Sequence, residues 1–153
     1  MVRKSNNTAL NSIASKLNSV FLGNKLEKEI TFAAATTGAV DTHKIADVTG
    51  VVAIQIFGIC ETDLAGATAT IEVGTALSTA GLIAQTTGTN IDANEIWHDN
   101  SPDASIELTS VVTQKIITQD INYKVGTAAL TSGKLKFYIL WSPLSEDGNV
   151  ELV

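Results

Sequence analysis

The side chains best suited to chemistry gather in the run Asn90-Ile91-Asp92-Ala93-Asn94-Glu95-Ile96-Trp97-His98-Asp99-Asn100-Ser101-Pro102-Asp103. Asp92, Asn94, Asp99 and Asp103 offer the hard oxygen ligands that calcium takes, but the spacing lacks the Gly and the terminal Glu of an EF-hand loop. The same residue types suit a strand end followed by a turn, with Asx-type bonds to the backbone and Pro102 stopping the ladder. Asp92, Glu95 and His98 are also the groups from which a small hydrolase would draw its acid and base. The other histidine, His43, stands between Asp41 and Asp47. Neither imidazole sits in a catalytic signature, and neither a Gly-x-Ser-x-Gly elbow nor a Gly-x-x-x-x-Gly-Lys phosphate loop occurs. The expectation is no catalytic residue, no metal and no cofactor.

Two further groups carry side chains that can react. Cys60 ends the most apolar stretch of the chain, where a thiolate is poorly solvated, so it reads as a core residue. The carboxylate pairs Glu27/Glu29 and Glu146/Asp147 have no apolar surroundings to raise a pKa and read as solvated charge. Of the two tryptophans, Trp141 follows Phe137 and Ile139 on one strand face and belongs to the core. Trp97 is flanked by polar residues, which makes it the aromatic available to a neighbouring subunit or to a sugar ring.

These residues must be held by strands. The chain has 153 residues with 19 Thr, 15 Ile and 12 Val, a β-branched composition suited to pleated sheets. One cysteine excludes an internal disulfide, and one hydrophobic core is the expectation for this length. The net charge of -6 disfavours nucleic acid, which calls for a basic patch. Val51 to Cys60 is the densest apolar stretch, interrupted by Gln55 and Gly58 and too short to span a bilayer, so it reads as a buried strand and no membrane is expected. At the start, Ser5-Asn6-Asn7-Thr8 stands where a secretory leader would need an apolar run.

Residues 8 to 22 have a different period: Leu10, Ile13, Leu17, Val20 and Phe21 recur at helical spacing, ahead of Gly23 as a left-handed stop. That predicts a short amphipathic helix, then a charged connector at 24 to 29. Residues 1 to 29 are thus expected to form an N-terminal arm and residues 30 to 153 the β domain. From Ile30 the period is two, with strands expected near 30–34, 44–49, 51–60, 68–73, 82–86, 95–98, 105–109, 117–125 and 135–141. The fold class is all-β: a two-sheet β-sandwich, with a jelly roll favoured because about eight strands suit its two Greek keys. An immunoglobulin-like sandwich remains open.

The ending Gly133-Lys134-Leu135-Lys136-Phe137-Tyr138-Ile139-Leu140-Trp141-Ser142-Pro143-Leu144-Ser145-Glu146-Asp147-Gly148-Asn149-Val150 resembles small virion proteins of tailed bacteriophages. In those proteins a Thr, Ala and Gly-rich β domain closes on a Phe-Tyr-x-x-Trp strand, a Pro-Leu-Ser turn and a polar tail. The resemblance covers roughly the last 20 residues by motif and the rest by composition. It implies an auxiliary capsid protein, a decoration or cement protein, made in the host cytoplasm and bound to the capsid exterior. The partners implied are the major capsid protein and further copies of the chain, with a homotrimer favoured. The helix at 8 to 22 has one charge, Lys16, which fits an anchor on protein better than one on anionic lipid. Leu10, Ile13, Leu17, Val20, Phe21 and Trp97 are therefore the candidate partner-binding residues. The tail Asn149-Val150-Glu151-Leu152-Val153 would either fray or add a strand to a neighbour's sheet edge. The competing expectation is a receptor- or carbohydrate-binding module with a shallow site around Trp97.

Overall fold

β-branched and aromatic residues alternate with polar ones from Ile30 onward, and the computed structural model turns that alternation into strands. Residues 22–99 and 104–153 are described. The strands are β1 (Asn24–Thr31), β2 (Thr42–Thr49), β3 (Val52–Ala65), β4 (Thr70–Gly74), β5 (Ile83–Thr87), β6 (Ile96–Trp97), β7 (Lys115–Ile117), β8 (Ile121–Gly126), β9 (Ser132–Pro143) and β10 (Asn149–Leu152). They form two five-stranded sheets. One runs β1-β9-β3-β6, with β7 also paired to β3, and the other runs β10-β2-β8-β4-β5. Every pairing is antiparallel. The expected all-β two-sheet sandwich is present.

The longest strand explains the most apolar sequence. β3 lies between β9 and the pair β6 and β7, so Ile54, Ile56 and Cys60 point into the core while Gln55, Phe57 and Ile59 point outward. On β9 the inward set is Leu135, Phe137 and Ile139. These meet Ile71 and Val73 of β4 and Ile121, Tyr123 and Val125 of β8 in a single cluster. Each aliphatic side chain taken fully out of water there stabilises the fold by about 1.5–3 kcal/mol. Gly133 sits at the start of β9 with φ +117, and an added Cβ would meet Leu64 and the Asp63 carbonyl at under 3 Å.

Four expectations change. The charged run Asn24–Glu29 is not a connector but most of edge strand β1, so the β domain begins at residue 24 rather than 30. Its Lys and Glu residues protect the open edge of the sheet, the usual device against edge-to-edge pairing, and they also masked the strand signal. No strand forms at 105–109: a 3-10 turn occupies Thr109–Val111, and Ile106 and Leu108 are exposed instead of half-buried. The tail neither frays nor reaches outward but becomes β10, paired to β2 with Val150 opposite Val48. Finally, the positive φ that precedes the β domain falls on Leu22 (φ 45), a buried residue, rather than on Gly23. Leu10, Ile13, Leu17, Val20 and Phe21 lie outside the described residues.

Candidate functional site

The chemically loaded segment folds inward. Trp97 is 0 % exposed: in the register of β3 and β6 it lies opposite Gly58, where a Cβ would be in ordinary contact with both the indole and Phe137. Its ring centroid is 6.1 Å from that of Phe137, and its Nε1 donates to Thr86 Oγ1 at 2.9 Å. A sugar cannot stack on an indole in this position, nor can a partner reach it, so both surface roles expected of Trp97 are corrected. Its polar neighbours misled the sequence reading because the residue it lies opposite, Gly58, is distant in sequence. Trp141 is half-buried and packed on the core, as expected, and its buried indole N–H has no hydrogen-bond acceptor among the described residues.

His98 and Asp99 continue this inward turn. His98 is buried, with Nδ1 3.9 Å from Asp99 Oδ1 and Nε2 3.5 Å from Glu107 Oε1. Asp99 Oδ2 accepts a hydrogen bond of 2.6 Å from Thr113 Oγ1 and pairs with Lys115 Nζ at 3.1 Å. Burial raises the Asp99 pKa, but the hydrogen bonds from Thr113 and Lys115 outweigh it and hold the carboxyl below its ordinary value. Lys115 Nζ also donates to the Leu82 carbonyl at 3.0 Å. These contacts tie the 104–114 segment to the sandwich. Gln55 adds a further tie from the outward face of β3, donating to the Val112 carbonyl at 2.6 Å.

The other oxygen ligands go elsewhere. Glu95 Oε2 accepts the Asp92 backbone N–H at 2.8 Å, and Asp63 of β3 accepts that of Ala93 at 2.7 Å, so both carboxylates hold the turn's backbone, though not through the Asx-type bonds expected. Asn94 takes a positive φ of 72. Asp103 lies outside the described residues. Cys60 is buried, donates to the Thr62 carbonyl at 3.2 Å, and burial pushes its thiol up to about 11. In the second histidine group, His43 Nε2 is 3.0 Å from the Ala39 carbonyl and its ring stacks on Tyr123. Asp47 is held instead by Lys44, which also pairs with Asp120.

What faces outward is apolar. Leu77, Ile106, Leu108, Ile116 and Leu144 are five of the eight large hydrophobic residues exposed among the described residues. Leu77 and Ile116 border a hollow of about 330 Å³ together with Leu82 and Lys115. Ile116 and Leu144 border a second, of about 300 Å³, over Ala53. Leu108 borders a third, of about 110 Å³, with Phe57, Ile96 and Val112. Phe57 and Ala53 share the outward face of β3 four residues apart, so the second and third hollows follow one another along roughly 13 Å of strand. Sequence reasoning missed this edge, although the doublet Ile116-Ile117 carried a signal. In a strand, consecutive residues face opposite ways, so on a three-residue edge strand one of the two must meet solvent. No protein-family model, curated protein or solved structure matches the chain.

Proposed function

We propose that this protein is a structural component of a virion, a decoration or cement protein that binds the exterior of a phage capsid as a symmetric oligomer. The observation that carries the reading is the apolar edge along β7 and β3, exposed among the described residues and gathered into one patch of the kind that marks a contact surface. The side chains that could do chemistry support it by their placement. Cys60, Trp97 and Asp99 are committed to packing or to hydrogen bonds that fasten the fold. The C-terminal resemblance to small virion proteins supplies the context, and it falls on β9, the 144–148 turn and β10.

The strand pairing supports the jelly-roll variant of the sandwich. β4 pairs β5, β3 pairs β6 and β7, β2 pairs β8 and β1 pairs β9, so the first half of the chain nests against the second like one long hairpin. The orders β1-β9-β3-β6 and β2-β8-β4-β5 are what such a hairpin gives when it rolls into two Greek keys. β10 then extends the second sheet beyond β2. Rigid sandwiches of this kind present surface complementarity without a reactive side chain.

Particle composition tests the reading. Particles sedimented from lysates of cells that make this chain should contain it in fixed proportion to the major capsid protein, accessible to antibody on intact particles. Recovery in the soluble fraction alone, with no chain on the particles, would overturn it.

A further inference from the structure

The two open edges of the first sheet are built differently. β1 carries Lys25, Glu27, Lys28 and Glu29, charges that discourage pairing with another chain. At the opposite edge β7 offers Lys115-Ile116-Ile117, and its one charge is already held by Asp99. The 104–114 segment beside it is inverted in polarity: Glu107 is turned inward to His98, while Ile106, 86 % exposed, and Leu108, 72 % exposed, point to solvent. That arrangement makes a projecting apolar knob. Ile116, 70 % exposed, stands between two hollows on the same edge.

We infer that this edge is where two copies of the chain pack together, the Ile106–Leu108 knob of each copy entering the hollows beside Ile116 of the other. The inference rests on the proposed reading that the edge is a contact surface and names its partner. Leu108 beside Phe57 and the hollow over Ala53 share the outward face of β3, so a two-fold rotation can bring the knob of each copy to the hollow of the other. The area is also of the right size. Five large aliphatic side chains cover roughly 500 Å² at about 100 Å² each. A standard interface buries about 800 Å² per partner, somewhat over half of it apolar. Paired copies would also cover the open main chain of β7.

Light scattering of the full chain at tens of micromolar tests this. The unaltered chain should show twice its 16.1 kDa mass. Ile116→Asp and Leu108→Asp should each show the single-chain mass, with unchanged circular dichroism because both side chains are exposed in the fold. Val40→Asp, an exposed apolar position on the outer side of the other sheet, should keep the paired mass. A single-chain mass for the unaltered protein, or a multimer that survives Ile116→Asp, overturns the inference. A single-chain protein that still binds particles through Ile116 assigns the edge to the capsid: the pairing falls while the virion reading stands. A paired protein that never joins particles does the reverse.

Discussion

Trp97 Nε1 in one sheet donates its hydrogen bond to Thr86 Oγ1 in the other, so the indole links the two layers inside the core. Thr86→Val keeps the shape and removes the acceptor, leaving a buried N–H unpaired at a cost of about 1–3 kcal/mol. Trp97→Ala removes the ring and opens a cavity, costing about 3–5 kcal/mol. Urea unfolding followed by circular dichroism measures both. A change near zero for Trp97→Ala would mean that the indole is at the surface after all.

The residues that misled the sequence reading share a cause. The alternation in 51–60 and 135–141 was legible because burial on one face is a local pattern, and so was the core position of Cys60. Trp97 was misplaced because it lies against Gly58 and Thr86, partners that only the sheet pairing brings near. Ile106 and Leu108 alternate correctly for a strand, yet Glu107 between them finds His98 and reverses which side is buried. β1 was hidden by charges that belong to an edge rather than to a connector. The exposed apolar edge could not be read at all, because Leu77, Ile116 and Leu144 come from three separate segments.

Two buried acids make the fold sensitive to alkali. Burial raises the Cys60 thiol from 9.0 to about 11 and the Tyr123 phenol from 10.0 to about 12. Both stay protonated in folded and unfolded chains below about pH 8. Above it the unfolded chain loses these protons first, so stability falls as pH rises from about 8 to 12, by about 2–3 kcal/mol for each group at most. Cys60→Ala and Tyr123→Phe should each flatten that limb of the stability curve. Two curves that coincide with the unaltered protein would show that neither group titrates differently in the fold.

The Asp99 anchor has the opposite sign. Its pKa is held below the ordinary value by Thr113 and Lys115, so its contribution is present at neutral pH and is lost as pH falls below about 4. Asp99→Asn at neutral pH tests the anchor without moving any other group's charge. We expect hydrogen exchange in residues 104–114 to speed up about tenfold, as for a charge-assisted bond worth about 1.4 kcal/mol, with the rest of the sandwich unchanged. Exchange that quickens uniformly through the chain would make Asp99 a support of the whole fold rather than of this segment.

The last strand gives a test in which two substitutions move in opposite directions. Val150 is buried opposite Val48, and Lys28 reaches across from β1 to donate to the Val153 carbonyl, so β10 is fastened at both its core side and its end. Glu151 faces Asp47 in the register, a like-charge pair on neighbouring strands, which Lys44 only partly offsets from the Asp47 side. Val150→Ala should therefore cost about 1–2 kcal/mol by removing buried methyl groups. Glu151→Lys, by turning a repulsive pair into an attractive one, should gain about 0.2–1 kcal/mol. A frayed tail would leave the urea midpoint unmoved by either change, whereas a docked strand requires one midpoint to fall and the other to rise.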